Sequence, residues 1–192
     1  MNRLLRSAAR SFRTSLARPF ARTGVTAAGF VVAMMLGASP SIAARASAPD
    51  WRAWNDGLRQ ASAQKRPVIV DVYTNWCGWC RRMDHDVYEK AEIADYLRKR
   101  FVTIRLNAEA ADPAQYEGTR TTSQGLAQRF RVSGYPTTIF LRSTGEHMAN
   151  VPGYVPADRF LLLLRYVAEG YADRNVPFAE FEKSAGAPPT HR

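Results

Sequence analysis

The chain contains two cysteines, and only two residues separate them. Cys77 and Cys80 directly follow an apolar run over residues 67–73, whose composition predicts a strand buried on both faces. The residues from Cys77 to about Lys90 predict a helix, with Cys77 at its N-terminus and Cys80 one turn inside. The unpaired N–H groups and the dipole of a helix N-terminus stabilise a thiolate, the reactive form of cysteine. The pair is therefore predicted to be a dithiol that opens and closes as a disulfide.

The N-terminal region has the composition of a targeting segment. Six arginines and no acidic residue precede residue 24, so much of the net charge of +10 is local and does not indicate a nucleic-acid surface. An apolar run of fourteen residues at 25–38 and small residues at 41–46 predict a secretory signal peptide over residues 1–43. The run is short for a membrane span, which needs about 20 residues. Export to the periplasm is expected; a mitochondrial presequence or an uncleaved anchor facing the periplasm are the alternatives.

Export makes the scarcity of cysteine informative. Small domains in oxidising compartments often carry several structural disulfides, whereas this chain has one vicinal pair. A disulfide that closes so short a loop removes little entropy from the unfolded chain and stabilises the fold weakly, which favours a redox role. A metal site is not expected, because structural zinc needs about four ligands and the chain adds only three histidines to the pair.

The rest of the pattern predicts one α/β domain over residues 50–170. Helices are predicted over residues 50–64 (capped by Asp50), 77–90, 91–100, 123–130 and 156–170, and strands over 67–73, 101–106, 137–141 and 147–151. The polar residues 107–122 are predicted to form a long loop, and residues 171–192 a partly disordered tail. A βαβ unit followed by a hairpin and a closing helix predicts a mixed central sheet flanked by helices on both faces.

Four segments of the chain resemble the thioredoxin superfamily. VIVDVYTNWCGWC at residues 68–80 resembles its active-site segment, with the aspartate six residues before the first cysteine. RLN at 105–107, VSGYPTT at 132–138 and VPGY at 151–154 resemble its next strand, its cis-proline segment and the region before its last helix. The Gly-Trp dipeptide, the long loop and the signal depart from thioredoxin itself and look closer to thioredoxin-like proteins exported to the bacterial periplasm. The resemblance implies the thioredoxin fold and thiol–disulfide chemistry.

The resemblance also implies roles for individual residues. Cys77 is expected to be the attacking and more exposed thiol, and Cys80 the thiol that resolves the mixed disulfide. Asp71 is expected to act through water as the base for Cys80, with a pKa raised by burial; a buried aspartate satisfied by the backbone or a basic side chain is the alternative. Pro136 is expected to be cis and to place Tyr135 beside the sulfurs, rather than to be an ordinary proline at a strand start.

The aromatic residues of the motif predict a substrate surface. Trp76 and Trp79 are expected to form an apolar rim around the sulfurs, which suits a protein or peptide substrate; for Trp79 simple packing is the alternative. One of the two arginines after Cys80 is expected close enough to favour the thiolate. His85 lies eight residues after Cys77, over two helical turns away, and is expected at the surface.

These observations predict an exported, monomeric thiol–disulfide oxidoreductase that reduces disulfides in exported proteins. A disulfide oxidase or isomerase, or a non-catalytic thioredoxin-fold binding module, are the alternatives. The expected partners are protein disulfides and a membrane-borne electron donor, because cytosolic NADPH cannot reach an exported enzyme directly. No cofactor and no nucleic-acid partner are expected.

Overall fold

The computed structural model describes residues 48–185. The predicted signal peptide over residues 1–43 and the proline-rich end of the chain lie outside the described residues. The helices are α1 (Trp54–Gln64), α2 (Gly78–Met83), α3 (Ala91–Arg100), α4 (Ser123–Arg129), α5 (Ala157–Ala168) and α6 (Phe178–Ala185). The strands are β1 (Val68–Tyr73), β2 (Val102–Asn107), β3 (Pro113–Tyr116), β4 (Thr119–Thr122), β5 (Thr137–Leu141) and β6 (His147–Pro152).

Strand β1 lies in the interior of a four-stranded mixed sheet with the order β2-β1-β5-β6. It pairs in parallel with β2, which places Asp71 opposite Arg105. It pairs antiparallel with β5, which places Asp71 opposite Thr138. The apolar composition of β1 and β5 explains this position, because an interior strand covered on both faces has no solvated side.

Helices cover both faces of the sheet, which confirms the predicted α/β thioredoxin fold. One hydrophobic core includes side chains of α1, α4 and the β3–β4 hairpin, such as Trp54, Leu126 and Tyr116. The other core includes side chains from the segment after the cysteines, α3 and α5, such as Met83 and Phe160. Alternate residues of β1 point into these two cores, so the strand after which the cysteines follow is fixed from both sides.

The predicted Asp50 cap is wrong. Helix α1 begins at Trp54 after Ala53, which makes no side-chain capping hydrogen bond. The preceding residues instead run beside β2: the Arg52 N–H donates to the Thr103 carbonyl at 2.9 Å, and the Arg52 carbonyl accepts from the Arg105 N–H at 3.0 Å. This backbone pairing competes with a helical start and protects the edge of the sheet.

The predicted loop over residues 107–122 contains a hairpin. Strands β3 and β4 pair antiparallel around Glu117 and Gly118, which both have positive φ. Ala114 and Tyr116 alternate inward, and the Tyr116 hydroxyl donates to the Gly145 carbonyl at 3.1 Å. The polar residues between these inward positions are the solvated face of the hairpin, and they hid its period-two pattern in the sequence.

The predicted helix over residues 77–90 changes form after α2. A π-helical turn at Asp84–Tyr88 follows directly, and the Glu89 N–H donates to the Asp84 carbonyl at 2.9 Å. Such π-helical turns occur frequently at functional sites.

Helix α6 extends the fold into the predicted tail. Its Phe181 is buried against Tyr166 of α5.

Gly57 is required where α1 crosses β2. A Cβ atom there would lie 2.3 Å from Ile104 Cγ1, and Ile104 is fully buried. We expect Gly57→Ala to lower the free energy of unfolding by up to about 2 kcal/mol in urea denaturation, because overpacking costs about 1–3 kcal/mol and the gain in helix propensity offsets ~1 kcal/mol of that cost. Gly134→Ala is the control, since no atom lies within 4 Å of its added Cβ, and equal losses in both variants would contradict the overpacking.

Candidate active site

Cys77 and Cys80 form a disulfide at the start of α2, with their Cα atoms 5.3 Å apart. Cys77 is the N-cap residue of α2, and its Sγ accepts a hydrogen bond from the Cys80 N–H at 3.0 Å. A thiolate at Cys77 would accept the same N–H, so the helix start favours the reactive form of this sulfur after reduction. Residues 48–185 contain no free cysteine.

The expectation that Cys77 is the more exposed thiol is wrong for this structure. Both cysteines are 4% exposed. The bond between the two sulfurs lets each cover part of the other, which removes the difference expected for separate thiols. The two cysteines still differ in position, because only Cys77 is the N-cap residue and its sulfur accepts a backbone hydrogen bond from the Cys80 N–H.

Asp71 is buried in the middle of β1, with 1% of its surface exposed. The Tyr88 hydroxyl donates to its Oδ1 at 3.3 Å. Arg105 Nε lies 3.3 Å from Oδ2 as an ion pair, without the alignment of a hydrogen bond. Burial raises the pKa of Asp71 to about 7, against the opposing effect of the Arg105 charge. The carboxyl group can therefore exchange a proton near neutral pH.

Arg105 joins Asp71 to a second carboxylate. Its Nη2 donates to Asp84 Oδ2 at 2.6 Å, and its guanidinium lies over the Tyr73 ring at 4.6 Å. The negative charge of Asp84 adds to the rise in the pKa of Asp71, while Arg105 opposes it. Asp71 therefore has a feature of each of the two expectations from the sequence. The basic side chain of Arg105 pairs with it, and burial still raises its pKa to about 7.

Sequence reasoning assigned no role at the site to Arg105, Asp84 or Tyr88. One signal was available for Asp84, which follows Cys77 by seven residues, or two turns of an α-helix, and so falls near the same helix face. Arg105 could be found only with the register of β1 and β2, which places it directly opposite Asp71. Sequence spacing alone does not fix that register.

The predicted aromatic rim separates into two groups. Trp76 is 65% exposed; its Nε1 donates to Glu109 Oε1 at 2.9 Å, and its ring meets that of Tyr135 edge-on at 5.9 Å. Trp79 is 55% exposed and packs on Tyr154, with ring centroids 5.6 Å apart. The two tryptophans are the large hydrophobic side chains that residues 48–185 leave most open to solvent.

Pro136 begins the approach to β5. The Tyr135–Pro136 peptide bond is cis, and Pro136 is buried, whereas Tyr135 is partly exposed. The Pro136 carbonyl accepts the Gly153 N–H at 2.8 Å, so this segment is joined directly to the one that carries Tyr154. The structure thus places Tyr135 in ring contact with Trp76. It also hydrogen-bonds Pro136 to Gly153, the residue before Tyr154, on which Trp79 packs.

The charged residues after the cysteines have other partners. The Arg82 guanidinium lies over the rings of Trp79 and Tyr154 and pairs with Asp86 at 3.0 Å. Arg81 donates to the Asn75 carbonyl at 3.3 Å. His85 is exposed, as expected, and its hydrogen bond with Asp86 raises its pKa. No group of three or more His, Cys, Asp or Glu residues within 48–185 could hold a metal ion.

Comparison with known proteins gives the family. A family model for the thioredoxin-like domain matches residues 54–168. The chain belongs to this thioredoxin-like family. The match lies within the predicted domain and includes the disulfide, Asp71 and Pro136. Family membership and the bonded Cys-x-x-Cys pair together support a redox-active dithiol.

Relatives of this thioredoxin-like chain carry names from disulfide chemistry. It is 30% identical over 116 residues to the thiol:disulfide interchange protein DsbD of Ralstonia nicotianae, covering 58% of this chain and 17% of the relative. It is 23% identical over 111 residues to the disulfide bond reductase DsbH of Chlamydia pneumoniae, covering 55% and 63%. The chain thus spans less than two thirds of either relative.

The solved structure of a thioredoxin from Thermus thermophilus is also similar, with a TM-score of 0.53 and 28% identity. The match covers 65% of this chain and 90% of that one. Within residues 48–185 of the thioredoxin-like chain, no helix is both long and apolar enough to cross a membrane.

The raised pKa of Asp71 makes the stability of the oxidised protein depend on pH. The carboxyl group binds its proton more tightly in the folded state, so its contribution to stability is fully present below the unfolded pKa of 3.8 and is lost as pH rises through about 7. We expect Asp71→Asn to remove this loss and to raise the free energy of unfolding at pH 8 by about 2–4 kcal/mol. Urea denaturation between pH 4 and 8 measures it. The exposed Asp158→Asn is the control, and an unchanged slope in Asp71→Asn would contradict the buried-proton account.

Proposed function

We propose that the chain is a thiol–disulfide oxidoreductase that reduces disulfides of exported proteins. The Cys77 thiolate attacks one sulfur of the target disulfide, and the second target sulfur leaves as a thiolate. Cys80 then attacks the mixed disulfide at Cys77, which releases the first target sulfur and forms the Cys77–Cys80 disulfide. Two electrons pass to the target. The observation that carries this proposal is the Cys77–Cys80 disulfide at the start of α2, in a chain with a buried Asp71.

In this proposal Asp71 takes the proton of Cys80 during resolution, through water. A base acts best when its pKa is close to the working pH, and burial raises the pKa of Asp71 to about 7. Arg105 and Tyr88 hold the carboxylate in place, since both contact it from neighbouring elements. Neither contact neutralises Asp71 enough to return its pKa to the ordinary range.

Substrate binding is proposed for Trp76, Trp79, Tyr135 and Pro136. Exposed indoles beside a disulfide suit an extended polypeptide, because they bury a large apolar area and lose little conformational entropy. The backbone at Pro136 is proposed to pair with the target by strand-like hydrogen bonds. The partners are protein disulfides, and the enzyme acts as a monomer.

The place of action is proposed from residues 1–43. Their arginines, apolar run and small residues support export to the periplasm. In that compartment the Cys77–Cys80 disulfide must be reduced again after each turnover, which requires a membrane-borne electron donor. The name of the Chlamydia relative, a disulfide bond reductase, favours the reducing direction.

The cysteine variants test the exchange. We expect the wild type to reduce the disulfides of insulin with dithiothreitol as electron donor. Cys77→Ser should react at least about 100-fold more slowly, because it lacks the sulfur that attacks the target. Cys80→Ser should leave Cys77 joined to its targets as mixed disulfides, which a cell extract would yield for identification. Substantial activity in Cys77→Ser, or an inactive wild type with a competent donor, would contradict the proposal; the second outcome would favour a binding module.

The direction of electron flow has its own measurement. We expect the Cys77–Cys80 pair to have a reduction potential of about −270 mV in an equilibrium titration against glutathione, as for a reducing thioredoxin-type dithiol. The ratio of dithiol to disulfide can be followed by alkylation and mass spectrometry. A potential of about −120 mV, typical of a strong oxidant, would contradict the reducing direction but would remain consistent with thiol–disulfide exchange.

A further inference from the structure

Helix α6 adds a wall to the fold beyond the family match, which ends at residue 168. It is fixed to α5 by ring contacts. Phe178 meets the Tyr166 ring at 5.3 Å, and the buried Phe181 meets Tyr166 at 5.5 Å and Tyr171 at 4.5 Å. Tyr166 on α5 and Tyr171 in the turn after α5 thus hold Phe178 and Phe181, so α6 is a packed part of the domain.

A groove of about 320 Å³ lies between α6, the end of β6 and the start of α5. Its lining includes Pro152, Tyr154, Pro156, Arg159, Leu163 and Phe178. This volume is within the range, about 300–1,000 Å³, of sites that hold organic groups. Most of these side chains are apolar, and the charge of Arg159 is balanced by Glu182 at 3.4 Å while its guanidinium lies over the Phe178 ring. The groove therefore suits an uncharged occupant whose apolar part contacts Leu163 and Phe178.

The groove is continuous with the redox site through Tyr154. This residue lines the groove and also packs on Trp79, which lies between the two cysteines in sequence. A polypeptide whose cysteine reacts at Cys77 and whose chain passes over Trp79 and Tyr154 would arrive at the groove. An extended chain advances about 3.3 Å per residue, so about two residues span the 5.6 Å between the two ring centroids.

We propose that this groove binds an apolar side chain of the substrate polypeptide, a few residues from the cysteine that is attacked. The proposal rests on the proposed thiol–disulfide exchange and adds a specificity site to it. Phe178 and Leu163 form its apolar walls, and neither belongs to the cysteine or proline motifs. Of the possible occupants, a substrate chain is favoured because the groove shares Tyr154 with the surface beside the disulfide.

Peptide disulfides test the groove directly. A series of peptides carries one leucine or one serine at positions two to five from the reacting cysteine, and glutathione disulfide serves as a substrate without a long chain. We expect one leucine position to raise kcat/KM about tenfold over serine in the wild type, the size typical of an apolar pocket contact. Phe178→Ala and Leu163→Ala should remove this preference, Phe178→Leu should retain most of it, and all three should reduce glutathione disulfide at the wild-type rate.

The control variant lies at the other end of β6. His147 pairs with Leu141, the last residue of β5, whereas Pro152 at the groove pairs with Thr137, the first. His147→Ala should keep the leucine preference. Thermal unfolding of each variant confirms that it is folded. An equal leucine preference in the wild type and both alanine variants, or an equal loss on glutathione disulfide, would overturn the proposal.

Binding without chemistry separates the groove from the exchange reaction. The same peptides with serine in place of cysteine are titrated into the protein and followed by tryptophan fluorescence. Leucine-dependent binding that Phe178→Ala removes would support the groove even if no disulfide were reduced, in which case the proposed function alone would fail. No leucine dependence would overturn the groove. Self-association that Phe178→Ala abolishes, without a peptide preference, would assign the groove to a second copy of the chain and also overturn the proposal.

Discussion

A carboxylate buried in the central strand connects the elements around the disulfide. Asp71 lies among apolar side chains on β1, where an unpaired charge costs several kcal/mol. Arg105 from β2 and Tyr88 from the π-helical turn contact it, yet its pKa stays near 7 rather than falling to the range of a paired surface aspartate. A residue selected for stability alone would be apolar at this position. In the proposed function, this carboxyl group exchanges the proton of Cys80, which would explain its presence at a costly position.

The same interaction unites elements that are distant in sequence. Arg105 contacts Asp71 and Asp84, so one guanidinium connects the central strand to the start of the π-helical turn, while Tyr88 contacts Asp71 from the end of that turn. The strand before the cysteines and the helix after them thus share one charged group. Arg105 thus contacts carboxylates on both sides of the cysteine segment, and burial raises the pKa of one of them, Asp71, to about 7.

Sequence predicted the elements with strong local signals. The apolar run of β1, the cysteine spacing and the single carboxylate among apolar residues predicted the central strand, the disulfide and the burial of Asp71, and the resemblance of four segments to thioredoxins predicted the fold. It missed the β3–β4 hairpin, because four-residue strands with one polar face leave few positions on which periodicity can be read. It assigned no helix to α6, because Phe181 becomes a core residue only when α5 supplies Tyr166. The network around Arg105 needed the register of β1 and β2, which is a tertiary property.

The surroundings of the disulfide limit which targets can react. Each cysteine is only 4% exposed, while Trp76 and Trp79 beside them are largely open. Thiol–disulfide exchange requires the attacking sulfur to reach the target sulfur directly, so access governs its rate as well as thiolate character. Under the proposed function, a target would therefore contact the indoles before its disulfide meets Cys77. Trp76 is held by Glu109, and Trp79 packs on Tyr154 and Arg82, so the aromatic surface beside the disulfide is preformed. If targets bind there as proposed, the chain that flanks a disulfide would decide which disulfides react.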